Sequence, residues 1–200
     1  FSSSRSGATP LDVLGGTTGT LLVDAYTGYN QVCGPDGRER AACVAHARRK
    51  FFEALQDAPV EAKEAMALIL EAYRVEREAA ESGAMGSDKH LATRQSRSKP
   101  AMEELFRKCQ QWQPQHVPKG PMGAAIRYAL NNREELSLFL GNASVPIDNN
   151  AAERGLRTHA LGRKNFLFVG HVQGGKNLAV LYTMVANCEL RGINPLDYLT

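Results

Sequence analysis

The chain has 200 residues, 24 Lys and Arg against 21 Asp and Glu, and 43% apolar residues, for a formal net charge of +3. That length allows one good core with a smaller second subdomain, and the composition is that of an ordinary soluble globular protein. A membrane span is not expected, because the longest clearly apolar run, Leu178–Ala186, is broken by Tyr182 and Thr183 and falls well short of the roughly 20 residues needed to cross a bilayer.

Residues Phe1 to Arg5 lack the apolar core of a signal peptide. With no initiator Met at the start, the chain is expected to be a piece of a longer protein. Cys33, Cys43, Cys109 and Cys188 are scattered with no CxxC pair, which argues against a disulfide framework and for a reducing cytoplasm.

In chain order, Thr9-Pro10 followed by Leu11 to Leu14 and two glycines predicts a short helix. Thr20-Leu21-Leu22-Val23-Asp24 predicts a buried strand that ends on an acid. A turn follows at Tyr26 to Tyr29, and a second short strand is expected before Cys43. Val44 to Leu55 has a helical pattern with Phe51, Phe52 and Leu55 on the apolar side. In Glu61–Glu81, Ala62, Met66, Ile69 and Tyr73 recur at spacings of three and four, the signature of an amphipathic helix.

Ser82 to Ser87 predicts a loop, and His90–Gln111 a helix bent near Pro100. Two shorter helices are expected at Met122–Asn131 and Glu134–Leu140. Asp148-Asn149-Asn150 leads into a helix reaching about Thr158, and residues 165–169 suggest an extended segment. After Gly174-Gly175 a long amphipathic helix is expected to run to Arg191 and stop at Gly192, with a last helix starting at Pro195. The order is α/β-type elements, a long helical stretch, then α/β-type elements again.

Two carboxylates stand out. Asp24 would sit at the carboxyl end of a buried strand, where α/β sheets place ligand sites, and Mg²⁺ prefers such oxygen ligands. The alternative is an Asp that only caps the next turn. Glu153 lies three residues beyond Asn150, so it could close a capping box at a helix start or pair with Arg157. The same first-turn position would let it bind a cation while Arg154 or Arg157 holds a phosphate.

Cys43 and His46 form a C-x-x-H pair, half of a zinc site at best. The simpler reading is a buried Cys43 with His46 hydrogen-bonding nearby. Basic residues cluster at Arg48-Arg49-Lys50, at Arg94/Arg97/Lys99 and at Arg154/Arg157/Arg163/Lys164. Such clusters can neutralise phosphates or simply be solvated helix faces.

Taken together, the motifs are more specific than any one alone. They are Asp24-Ala-Tyr26-Thr-Gly28-Tyr29, Cys43-Val-Ala-His46-Ala-Arg48-Arg49-Lys50-Phe51-Phe52, Pro146-Ile-Asp148-Asn149-Asn150-Ala-Ala-Glu153-Arg154-Gly-Leu156-Arg157, Leu161-Gly162-Arg163-Lys164-Asn165 and Gly174-Gly175. In this order the chain resembles the transposases of the bacterial insertion sequence sixty-six family, from about Ser4 to the last residue.

The resemblance implies a DDE enzyme with an α/β, RNase H-like core, incomplete at the N-terminus and interrupted by a mostly helical insertion. The core would fall at 1–58 and 145–200, with the insertion at 59–144. Asp24 matches the family's second catalytic Asp and Glu153 its catalytic Glu, each a metal ligand. Asp148, Asn149, Asn150, Cys43 and His46 would support the site. The first catalytic Asp would lie upstream of Phe1, so this chain alone is expected to be inactive.

Two Mg²⁺ or Mn²⁺ ions, double-stranded DNA and a homo-oligomer in the active complex are implied, with no membrane. Arg48, Arg49, Lys50, Arg154, Arg157, Arg163 and Lys164 are the candidates for DNA backbone contacts. Rival readings are an RNase H-like nuclease without strand transfer, an inactive DNA-binding or oligomerisation module, and a helical scaffold that binds protein alone.

Overall fold

A computed structural model describes residues 2, 6–24, 26–34, 36–157, 162 and 169–200. These are mostly helical, with a single two-stranded parallel sheet among the described residues. The chain divides into two compact units, Pro10–Asn149 and Phe1–Thr9 with Asn150–Thr200.

The sheet in the first unit pairs β1 (Thr20–Val23) with β2 (Glu39–Ala42), in register Thr20 to Glu39 through Val23 to Ala42. A parallel pair needs a crossover connection, supplied by 24–38, which includes a single-turn helix at Thr27–Tyr29. Apolar side chains at Leu21, Leu22 and Val23 suit a pleated surface, but only Val23 is fully buried. Ahead of the sheet, α1 (Ala8–Leu14) buries no residue.

The core of this unit is built by four helices: α2 (Val44–Glu53), α3 (Pro59–Glu81), α5 (Lys99–Trp112) and α6 (Pro121–Asn131). α3 packs on α2 and α5, and α6 packs on the same two helices. Along α3 the buried stripe is Ala62, Ala65, Ile69, Ala72, Val75 and Ala79. Small residues at that spacing let neighbouring backbones approach closely, while the larger side chains of α5 (Met102, Leu105, Phe106, Trp112) fill the space between. Prolines 59, 100 and 121 all sit in first turns, where a missing N–H costs nothing.

Three expectations are corrected in this unit. Phe52 is 60% exposed, whereas Phe51 is fully buried. Phe51 continues the stripe of Val44 and Ala47, and one residue further rotates the side chain about 100° out of it. The helix expected to bend near Pro100 instead breaks earlier: α4 (Asp88–Thr93) passes through a π-helical turn at Arg94–Ser98 into α5.

That wider turn carries the third correction. Arg94, in a basic cluster read as either phosphate-neutralising or a solvated helix face, is 0% exposed. Its Nε and Nη2 donate to Glu76 Oε1 at 2.8 Å and Oε2 at 2.6 Å, and Nη1 donates to the carbonyls of Phe139, Asn142 and Val145 at 2.8, 2.9 and 3.0 Å. Arg97 is likewise occupied, by Glu71 and Glu78. A short helix, α7 (Leu138–Gly141), begins the segment that Arg94 holds.

The second unit contains α8 (Asn150–Gly155), α9 (Val172–Leu190) and α10 (Pro195–Leu199). α8 begins at Asn150 itself. α9 starts earlier than expected: His171 caps it, Nδ1 accepting from the Gly174 N–H at 3.1 Å, so Gly174 and Gly175 lie inside its first turns. It ends as expected at Gly192, whose φ of +67° is the left-handed conformation that favours glycine after a helix. Of the extended segment expected at 165–169, only Val169 is described, and it is not in a strand.

Candidate functional site

The strand end, the C-x-x-H pair and the Asp148 segment, far apart in sequence, meet around Cys43. The Cys43 N–H donates to the Val23 carbonyl at 3.1 Å, and the Val44 N–H donates to the Ile147 carbonyl at 3.1 Å. One residue pair at the start of α2 thus ties the last residue of β1 to the segment entering Asp148. Cys43 is fully buried. Burial pushes its thiol up, with the Asp148 charge adding a little, while the backbone N–H groups of Asn149, His46 and Ala45 pull the other way.

Asp24 directly follows β1 and is half-buried. Its Oδ1 accepts the Tyr26 N–H at 3.0 Å, the turn-capping geometry anticipated for an Asp at a strand end. Its carbonyl accepts from Arg40 Nη2 at 2.9 Å, and Arg40 Nη1 reaches Asn30 Oδ1 at 2.8 Å. Arg40 on β2 therefore pins the backbone of the Asp24 turn and leaves the carboxylate to other partners.

Asp148 is anchored from the helical region. The Tyr73 hydroxyl, on α3, donates to Asp148 Oδ2 at 2.8 Å. Burial and the neighbouring Asp148 carboxylate together hold the Tyr73 hydroxyl far above its ordinary range, so it stays a donor. Tyr128 on α6 stands in the same neighbourhood. Its pKa is pushed up to about 12, first by burial and then by Cys43 and Asp24, and Lys50 Nζ lies 5.1 Å from its ring centroid.

Neither tyrosine was among the site residues expected from sequence. Their apolar bodies fit the core periodicity of α3 and α6. The available clue was the hydroxyl itself, because a buried Tyr generally needs a partner that Phe would not.

The other expected residues fall as follows. His46 is half-buried in the first turn of α2, while Arg48 and Arg49 are exposed one turn on. Asn149 and Asn150 are half-buried; Glu153, Arg154 and Arg157 are exposed on or beside α8. Arg163 and Lys164 lie outside the described residues. Asp24, Cys43, His46, Asp148 and Asn149 belong to one unit, and Glu153 to the other.

Hard carboxylate oxygens at Asp24 and Glu153 fit a divalent cation in kind, since Mg²⁺ commonly takes one or two carboxylates and completes its shell with water and phosphate. No three His, Cys, Asp or Glu side chains come together as a ready metal cluster among the described residues. Among the described residues, the Cys43–His46 pair is not joined by the further ligands that a structural zinc site requires. No helix among the described residues is long and apolar enough to cross a membrane.

The sequence matches a known family, whose model, described as the Transposase IS66 family, covers residues 1–177. The chain belongs to that family. It is similar to three proteins of Sinorhizobium fredii (strain NBRC 101917 / NGR234), each known as an uncharacterized protein. It is 34% identical to y4jD, over all of this chain and 40% of that protein. The match to y4hP is 32%, over 99% and 38%, and to y4qI 31%, over 94% and 36%. The chain thus spans about two-fifths of the length of these curated relatives. No solved structure matches it.

Proposed function

We propose that this chain is part of the catalytic domain of a DNA transposase that cuts and joins strands at the ends of its element by metal-dependent phosphoryl transfer. The observation that carries the reading is the junction at Cys43. There the strand that leads into Asp24 and the segment that enters Asp148 flank one residue pair, as a site assembled from distant motifs requires. In this reading residues 1–58 and 145–200 belong to an RNase H-like core, and 59–144 are inserted into it.

Asp24 and Glu153 are the carboxylate ligands. Bound Mg²⁺ or Mn²⁺ would neutralise the charge that develops on the attacking and leaving oxygens. Asp148, Asn149, Asn150, Cys43 and His46 shape the surroundings. Arg48, Arg49, Lys50, Arg154, Arg157, Arg163 and Lys164 neutralise backbone phosphates of double-stranded DNA, a contribution without sequence preference. The active assembly is a homo-oligomer working in the cytoplasm.

A second reading is a DNA-binding or oligomerisation module without catalysis, its carboxylates serving as caps and salt bridges, as the Tyr26 N–H bond to Asp24 Oδ1 suits. Glu153→Gln and Asp24→Asn in the full-length protein separate the two. Each substitution should abolish strand cleavage and strand transfer on element-end DNA while folding and DNA affinity persist. Cleavage that survives either change defeats the assignment. Cleavage without joining in the unaltered protein would point to a nuclease.

A further inference from the structure

We infer that Tyr73, on α3 and outside every motif that suggested the function, is a positioning residue for the Asp148–Asn149 turn, the point from which the chain enters the Glu153 helix. The inference deepens the transposase reading and rests on it for its catalytic consequence, though not for its structural one.

Bonds from Arg94, Val44 and Tyr73 are among those that converge on the segment 139–149. Arg94 holds the carbonyls of Phe139, Asn142 and Val145. The Val44 N–H holds the Ile147 carbonyl. Tyr73 then takes the Asp148 carboxylate at 2.8 Å. The first two fix backbone only. The Tyr73 hydroxyl grips a side chain of the motif, and it comes from a helix whose buried stripe is largely apolar.

The chemistry suits that task. Tyrosine places its hydroxyl at the tip of a rigid ring with two rotatable bonds, so little freedom is lost when it bonds. A hydrogen bond to a charged acceptor is stronger than one between neutral groups. Asp148 lies five residues before Glu153, so a turn that frays at Asp148 would loosen the start of α8. The helical region would thus reach the Asp148 side chain through the Tyr73 hydroxyl, beside the backbone bonds that Arg94 makes.

Tyr73→Phe in the full-length protein keeps the ring and removes only the donor. Amide exchange at Asn149 and Asn150 should accelerate about tenfold, the scale of one charged hydrogen bond. Single-turnover cleavage should slow by a similar factor while the Kd for element-end DNA is unchanged. Asp148→Asn retains an acceptor for the hydroxyl and should keep the exchange protection that Asp148→Ala loses.

Unchanged exchange in Tyr73→Phe overturns the inference. So does a loss of rate matched by an equal loss of DNA affinity, since that would mark general damage. If Glu153→Gln leaves cleavage intact, the transposase reading falls, and the exchange measurements still decide the role of Tyr73.

Discussion

Arg94 and Glu76 face each other through a two-pronged bond inside the helical unit, Nε to Oε1 at 2.8 Å and Nη2 to Oε2 at 2.6 Å, with the arginine wholly shielded from water. His90 adds a further partner, Nε2 to Glu76 Oε1 at 3.1 Å, while its Nδ1 accepts the Gly86 N–H at 3.2 Å. The accepting Nδ1 puts the ring proton on Nε2, facing the carboxylate. The guanidinium also stacks near the Phe139 ring at 5.2 Å.

Removing one partner of such a pair leaves an uncompensated buried charge, so Glu76→Ala should cost about 3–5 kcal/mol in urea unfolding. A paired apolar replacement, Glu76→Leu with Arg94→Met, should cost clearly less, because neither charge then remains. Equal losses in the single and double variants would show that the pair's role is not electrostatic.

Thiol reactivity should follow burial. Burial pushes the Cys109 thiol up to about 12 and raises Cys43 as well. Cys33 is only half-buried, although burial raises its thiol too. Because the thiolate is the reactive form, a disulfide reagent at pH 8 should modify Cys33 first in the native protein. Cys43 and Cys109 should react only on unfolding, as peptide mass mapping would show. Early labelling of Cys43 would contradict the junction described for it.

The Arg97 pairs should matter only above the acid range. The Arg97 guanidinium beside Glu71 and Glu78 holds both carboxyls below their ordinary values. A depressed folded-state pKa gives stability that is present above the unfolded value, about 4.3 for Glu. That stability is lost as pH falls through the folded values. Melting curves of Arg97→Gln and the unaltered protein should therefore differ at pH 7 and converge in acid. Both partners are substantially exposed, so the difference should be small and should shrink further in high salt.

If Arg48 and Arg49 touch DNA phosphates, each Arg→Ala change in the full-length protein should weaken binding to all sequences alike. The slope of log Kobs against log salt should become shallower by roughly one for each phosphate no longer neutralised. Fluorescence anisotropy across a salt series measures it. An unchanged slope would remove α2 from the DNA surface. The equivalent change at Arg94 should destabilise the protein rather than alter the slope, because that arginine is wholly buried and has nothing to offer a phosphate.

Much of the architecture is legible from short windows of residues. The apolar spacing along Glu61–Glu81 matches α3, Pro10 and Pro195 mark helix starts, and Gly192 closes α9. Those signals are local because capping and 3.6-residue periodicity are decided within a turn or two. Sequence and structure part where two local signals compete. Phe51 and Phe52 are equally apolar, and only the helices against which α2 packs select between them. Pro100 suggests a bend, whereas the departure from α-helical hydrogen bonding comes earlier, in the π-helical turn at Arg94–Ser98. Gly174 and Gly175 resemble a helix boundary because the cap three residues earlier is a histidine.

For the candidate site, sequence alone determined the family, the order of its motifs and the residue types that could bind a cation or a phosphate. Those depend on identity and spacing, which the chain carries wherever it folds. Only the tertiary structure decided that Cys43 and Val44 join Val23 to the Ile147 segment, that Tyr73 takes Asp148, and that Arg94 is an internal tether rather than a surface cation. Burial and long-range hydrogen bonding arise between segments many residues apart, so no window along the chain contains both halves of the interaction.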